Sequence, residues 1–173
     1  LCYDGPCPTF SAFPELRDRI VVLQSFSKPY AMTGWRLGYL MADAPVVEQI
    51  QKVHQYSVVS VSAFTQQACV EALQYDNSRE METFRRRRDY VWGRLQAMGL
   101  EVEKPEGAFY LFPSIEKYGI PSGEFCTRMI REAGLALTPG SCFSAEGFVR
   151  ISYCYSDDAL KEGMDRLERF LQS

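Results

Sequence analysis

The chain has 173 residues, 46% of them apolar and 24% charged, the balance of a globular protein long enough to bury a sizeable core. With a formal net charge of −3, composition offers no electrostatic case for nucleic acid or an anionic membrane as partner, and no apolar run reaches the length of a membrane span. Six cysteines (Cys2, Cys7, Cys69, Cys126, Cys142, Cys154) are scattered without a C-x-x-C pair, which predicts reduced, mostly buried thiols in a cytoplasmic protein.

Leu1 to Gly5 reads as the end of a strand or loop that runs into a turn at Asp4-Gly5-Pro6, with no signal-peptide layout. Ile20 to Gln24 and Leu37 to Met41 are short continuous apolar runs, predicted as strands buried on both faces. Asp43-Ala44-Pro45 opens a helix with Val47, Ile50 and His54 on its inner face. His54 is the only histidine, so a zinc site or a histidine triad would rest on one residue. Ser62 is the predicted cap of a second helix, in which Phe64, Ala68 and Ala72 recur every four residues.

A longer helix is expected from about Asn77 to Met98, with a stripe of Met81, Phe84, Val91, Leu95 and Met98 and a stop at Gly99. Its run Arg85-Arg86-Arg87-Arg88 points in four directions and reads as solvated, compensated by Glu80, Glu82 and Asp89. Strands are then expected at Glu101–Lys104, Ala108–Phe112, Leu135–Thr138 and Phe148–Tyr153. Helices are expected from Ser122, with Phe125, Met129 and Ile130 inward, and from Ser156. In the latter, Asp157 and Asp158 fill the first turn and Leu160, Met164, Leu167 and Leu171 form the stripe. The C-terminal part is thus an α+β layer.

The stretch Ser25-Phe26-Ser27-Lys28-Pro29-Tyr30-Ala31-Met32-Thr33-Gly34-Trp35-Arg36 joins the first two strands. A lysine, an arginine and hydroxyls around one loop can bind a phosphorylated aldehyde, the amine forming an imine and the others holding the phosphate. A solvated lysine in a plain connecting loop is the competing reading. Ser25 to Lys28 also fits S-x-x-K, the nucleophile motif of β-lactamases. Pro29 disfavours the helical conformation that motif needs at Lys28, and neither S-D-N nor K-T-G occurs.

S-F-S-K-P-Y-A-M-T-G-W-R-L-G-Y resembles the cofactor-lysine motif of the class I/II aminotransferases, fold-type I pyridoxal-phosphate enzymes. Three further stretches resemble the family's motifs in the same order: Gly107-Ala108-Phe109-Tyr110, Thr138-Pro139-Gly140-Ser141-Cys142-Phe143 and Phe148-Val149-Arg150-Ile151-Ser152-Tyr153. One departure is Ser144, where the family commonly has glycine after the P-G-x-x-F turn.

The resemblance implies that Lys28 anchors pyridoxal 5'-phosphate as an imine and moves the proton of the substrate's Cα. It implies that Arg36, with Ser25 and Ser27, holds the phosphate, and that Arg150 grips the substrate's α-carboxylate. The implied fold is α/β. Residues 1–76 would belong to the mixed-sheet, cofactor-binding large domain, residues 77–98 to a connecting helix, and residues 99–173 to a small α+β domain. The implied reaction is transamination between an amino acid and a 2-oxo acid, by a homodimer in the full-length protein, with neither nucleic acid nor membrane as partner.

A C–S lyase or another elimination enzyme of the same fold, or a non-catalytic domain of a regulator, would use similar residues. The family's glycine-rich phosphate loop, ring-stacking aromatic residue, asparagine and pyridine-pairing aspartate fall in a segment that would precede Leu1. The expectation is therefore a C-terminal part of an enzyme, alone incompetent or very poor in catalysis, with strand edges that want partners.

Overall fold

The computed structural model describes residues 1–172, which divide into two compact units, residues 6–77 and residues 1–5 with 78–172. In the first unit, strands β1 (Val22–Ser25) and β2 (Gly38–Met41) form an antiparallel ribbon, from Val22 opposite Met41 to Ser25 opposite Gly38. Gly38 is required at that end, because a Cβ there would stand 2.6 Å from the Gln24 carbonyl oxygen of the facing strand. Helices α1 (Ala44–Val58) and α2 (Ala63–Ala72) follow. Asp43 stands at the first N-cap with Pro45 in the opening turn, as the sequence predicts, and Ser62 stands at the second N-cap without a side-chain capping bond.

Burial in this unit departs from expectation. The strands are not covered on both faces: among the described residues they pair only with each other, and Leu23 is 75% exposed. Continuous apolar runs signal cover on both sides, and the described residues do not supply it. Helix α1 buries no residue, and His54 is exposed. Helix α2 turns Thr65 and Cys69 inward and leaves Phe64 77% exposed, one position away from the predicted face.

The second unit has a closed core. Helix α3 (Ser78–Ala97) precedes β3 (Tyr110–Leu111), α4 (Ser122–Arg128), β4 (Thr138–Pro139), β5 (Val149–Ser152) and α5 (Asp157–Leu171). The three strands form an antiparallel sheet in the order β3-β5-β4. Central strand β5 turns Val149 and Ile151 into the core, followed by Tyr153, while Arg150 and Ser152 face out. The core gathers Val91 and Leu95 of α3, Leu111, Ile115, Phe125, Met129, and Leu160, Met164 and Leu167 of α5. Burying each of these apolar side chains contributes about 1.5–3 kcal/mol.

Helix α5 starts where expected, and Ser156 caps it, its Oγ accepting from the Ala159 amide at 3.3 Å. Helix α4 continues through the wider turn Met129–Ala133 and ends at Gly134 in the left-handed region. There Arg166 of α5 donates to the Ala133 and Gly134 carbonyls at 3.2 and 3.1 Å. Ile130, expected inward, is exposed.

No strand forms at residues 101–104. The Glu101 and Val102 carbonyls accept instead from the Ser114 amide (2.9 Å) and the Trp92 indole (3.3 Å). The N-terminal residues complete this unit: Cys2 bridges to Gly107, and the Tyr3 amide donates to the Glu106 carbonyl at 2.8 Å.

The arginine run of α3 is not uniformly solvated. Arg86 and Arg87 pair with Asp157, whereas Arg88 is only 2% exposed and lies 4.8 Å from the centre of the Tyr3 ring. It donates to Asp4 at 2.8 Å, to Asp89 at 3.0 Å and to the Pro105 carbonyl at 3.0 Å. Arg88 sits four residues after Phe84 and three before Val91, in line with the predicted stripe.

The cysteine expectation holds in part. Cys2 and Cys7 are disulfide-bonded rather than reduced. Cys69 and Cys126 are buried thiols, and Cys142 and Cys154 are exposed thiols. Burial pushes the Cys126 thiol up to about 11. Among the described residues no helix is long and apolar enough to cross a membrane, and no group of three His, Cys, Asp or Glu side chains could hold a metal ion.

Candidate active site

Ser25, Ser27, Lys28 and Arg36 stand on one loop of the first unit, which leaves β1 and returns to β2. Its buried anchor is Phe26, whose ring lies 5.4 Å from Tyr30 and 5.5 Å from Tyr39. The Phe26 amide donates to the Leu37 carbonyl at 3.3 Å, carrying the ribbon one step beyond Ser25. The Tyr30 amide then donates to the Phe26 carbonyl (3.4 Å) and that of Ala31 to the Lys28 carbonyl (3.3 Å), so the chain curls directly around the lysine.

Lys28 is exposed on that curl. Ser25 Oγ accepts from the Ser27 amide at 3.1 Å, a local turn that leaves the hydroxyl proton for another acceptor. Asn77 Nδ2 donates to the Pro29 carbonyl at 3.5 Å, a tether next to the lysine that no motif announced.

Arg36 closes the Thr33–Trp35 turn and takes the left-handed backbone conformation (φ 54, ψ 45). For a non-glycine residue this costs about 1–2 kcal/mol, and such strain gathers where a side chain must be aimed. Its Nη1 donates to the Thr33 carbonyl at 3.0 Å, and the guanidinium's other N–H groups remain for a bidentate anion.

A cavity of about 690 Å³ in the same unit is lined by Phe26, Tyr39, His54, Gln66 and Cys69 among others; neither Lys28 nor Arg36 lines it.

Arg150 belongs to the second unit, on the outer face of β5 opposite Thr138 of β4. Its guanidinium carbon lies 4.4 Å from the Tyr110 ring centre and 4.5 Å from that of Phe143. Tyr110 is carried by β3, and Phe143 ends the turn Gly140–Phe143 that follows β4. The turn is tight: a Cβ on Gly140 would come within 2.6 Å of the Phe148 carbonyl oxygen.

Ser144, the departure from the family's glycine, takes the left-handed conformation (φ 55, ψ 29) that a glycine accepts without strain. The loop from Ser144 is held by Glu146, whose carboxylate accepts from the Ser122 amide, the Ser122 hydroxyl at 3.1 Å and the Gly147 amide at 3.2 Å. These backbone donors hold its carboxyl below the usual glutamate range. The aromatic neighbours of Arg150 lay unnoticed in the sequence, although the G-A-F-Y and P-G-x-x-F stretches that carry them were identified.

An amine, a guanidinium and two hydroxyls on one loop suit a phosphorylated aldehyde: the amine can take the carbonyl carbon and the remainder are donors for phosphate oxygens.

Comparison with known proteins places the chain in a family. The sequence profile of "Aminotransferase class I and II" matches residues 3–167. A probable N-acetyl-LL-diaminopimelate aminotransferase of Bacillus subtilis is 46% identical over 99% of the chain and 44% of its own length. An aromatic-amino-acid aminotransferase of Thermococcus litoralis is 44% identical over 98% of the chain and 46% of its own length. The crystal structure of the Thermotoga maritima aspartate aminotransferase superposes with a TM-score of 0.93 at 39% identity, over 100% of this chain and 45% of that one. The chain thus spans less than half the length of these relatives. Its fold is the mixed α/β fold of the fold-type I aminotransferases, with small sheets among helices. The chain belongs to the class I and II aminotransferase family.

Proposed function

We propose that the chain supplies the lysine and both arginines of a pyridoxal-phosphate-dependent aminotransferase acting between an amino acid and a 2-oxo acid. When bound, the cofactor supplies an electron-withdrawing ring that stabilises negative charge at the substrate's Cα. Lys28 would hold the cofactor covalently and, as a neutral amine, take the proton from Cα and return it as general acid. Arg36 grips the phosphate with two parallel N–H groups, and Ser25 adds its hydroxyl proton, with Ser27 beside it. Arg150 pairs with the substrate's α-carboxylate, a planar two-pronged contact that a lysine would not reproduce.

The observation that carries this reading is the loop itself: Lys28 stands on a curl fixed by the buried Phe26, with the Ser25 hydroxyl before it and the strained Arg36 after it. In domain terms, residues 1–76 are the C-terminal portion of the cofactor-binding large domain, 77–98 the connecting helix and 99–173 the small domain, although Leu1–Gly5 pack with Ser78 onward rather than with residues 6–77. The full-length protein is a homodimer, and the uncovered apolar side chains of residues 6–77 support such burial. This chain alone is expected to be a poor catalyst, since it spans less than half the length of the aminotransferases it resembles.

The test is reduction with borohydride in the presence of pyridoxal phosphate, followed by peptide mass mapping. A phosphopyridoxyl adduct is expected on Lys28 in preference to Lys52, Lys104, Lys117 and Lys161, and it should weaken in Arg36→Ala. Equal labelling of all five lysines would refute the assignment.

A further inference from the structure

The outer face of the β3-β5-β4 sheet carries a continuous row of rings that ends on Arg150. Phe148 stacks on Phe112 (5.4 Å between centres, 4° between planes), and Phe112 meets the edge of Phe143 at 6.1 Å and 81°. Phe143 and Tyr110 then both lie within 4.5 Å of the guanidinium carbon of Arg150. The register explains the arrangement. Tyr110 pairs with Ser152, and Thr138 with Arg150, so these side chains share the face opposite the core. Phe143 arrives from the turn after β4 and is braced from behind by Phe112.

No carboxylate among the described residues forms an ion pair with Arg150, so the rings are what hold it. A guanidinium against aromatic faces keeps its N–H edge available for an anion, since the rings engage the π face and leave the donors unspent. Rotation about the side chain's last bonds is restricted before any ligand arrives. Less freedom is then lost on binding, and affinity rises without a new contact to the ligand.

We infer that Tyr110 and Phe143 are positioning residues that hold the Arg150 guanidinium ready for an α-carboxylate, with Phe112 and Phe148 as the brace behind Phe143. The inference rests on the carboxylate role proposed for Arg150 and deepens it: recognition resides in the aromatic pair as well as in the arginine. The pair fixes how the guanidinium is aimed and touches no reacting atom.

The test is side-chain NMR of the chain labelled with 15N-arginine, the Arg150 signals being identified by their loss in Arg150→Lys. In the wild type the terminal guanidinium nitrogens should give distinct, slowly exchanging signals. Pyruvate, the smallest 2-oxo acid, should shift the Arg150 Nε–H resonance saturably at millimolar concentration. In Phe143→Leu and in Tyr110→Leu the nitrogen signals should coalesce, and pyruvate affinity should fall about fivefold, the scale of one cation–π contact. Phe143→Tyr should restore both readouts. The backbone amide spectrum shows which variants keep the fold, and the two leucine variants serve as independent reporters. Unchanged guanidinium exchange and affinity in a folded leucine variant would overturn the inference. Absence of any pyruvate shift in the wild type would overturn the carboxylate role and the inference together, and is distinguished by needing no variant.

Discussion

Replacing Arg88 separates what its hydrogen bonds contribute from what its bulk contributes. The side chain is almost wholly buried and donates to two carboxylates and to the Pro105 carbonyl, with its flat face over Tyr3. Asp4 and Asp89 are about half exposed, so both rehydrate when the arginine goes, and each lost pairing is worth only about 0.2–1 kcal/mol. The Pro105 carbonyl is the costlier orphan, at about 1–3 kcal/mol. Removing the guanidinium also removes the expense of burying a charge, which offsets part of this loss.

Arg88→Met, which keeps the aliphatic stem, should therefore cost about 2 kcal/mol. Arg88→Ala adds an unfilled volume beneath Tyr3 and should cost about 4 kcal/mol. The assay is urea unfolding at pH 7 in a Trp35→Phe background, so that Trp92, whose indole donates to the Val102 carbonyl, reports only on its own unit. A methionine variant as stable as the parent would show that packing alone accounts for Arg88, and the hydrogen-bond reasoning would fail.

Leu167→Ala, at a fully buried position on α5, should destabilise the same unit by about 2–5 kcal/mol in the Trp92 assay. Gly38→Ala, with a Cβ 2.6 Å from the Gln24 carbonyl oxygen, should force the ribbon apart and cost about 1–3 kcal/mol, read through Trp35 in a Trp92→Phe background. Glu146 has its carboxyl lowered by the Ser122 and Gly147 amides. Its contribution should be complete above the usual glutamate range and vanish as the pH falls through its lowered folded value. The urea-midpoint gap between wild type and Glu146→Gln should accordingly narrow from pH 7 to strongly acidic pH, and a gap independent of pH would refute this.

What could be read in advance follows the range of the forces involved. Helix α5 is legible nearly to the residue, because its start, its acidic first turn and its apolar stripe are all local. The lysine loop and Arg150 were legible as motifs. Phe64 was misjudged because a four-residue repeat fixes the angular spacing of a helix face and not which adjacent strip meets a neighbour; Thr65 and Cys69 took that role. Arg88 departs from expectation because the run reads as four compensated charges pointing in four directions, although its spacing from Phe84 and Val91 places it on the core stripe. Residues 101–104 lack a strand: a single backbone bond and an indole, rather than a ladder, take up the Glu101 and Val102 carbonyls.

Tyr3 has a consequence for how the chain can be assembled and cut. Its ring is buried beside Arg88, its hydroxyl donates to the Ala108 carbonyl and accepts from Tyr153 at 3.3 Å, and its carbonyl takes a bond from Arg85. Residues 1–5 are therefore synthesised well before the surface that receives them. They must stay unspent while residues 6–77 are made, and closing so long a loop costs only slowly more than closing a short one. A shortened protein beginning at Ser78 would leave the slot for Tyr3 empty and Arg88 without Asp4. The same slot offers a use: a synthetic peptide carrying Leu1 to Gly5 should rescue such a truncation in trans, with recovered Trp92 fluorescence as the signal of docking.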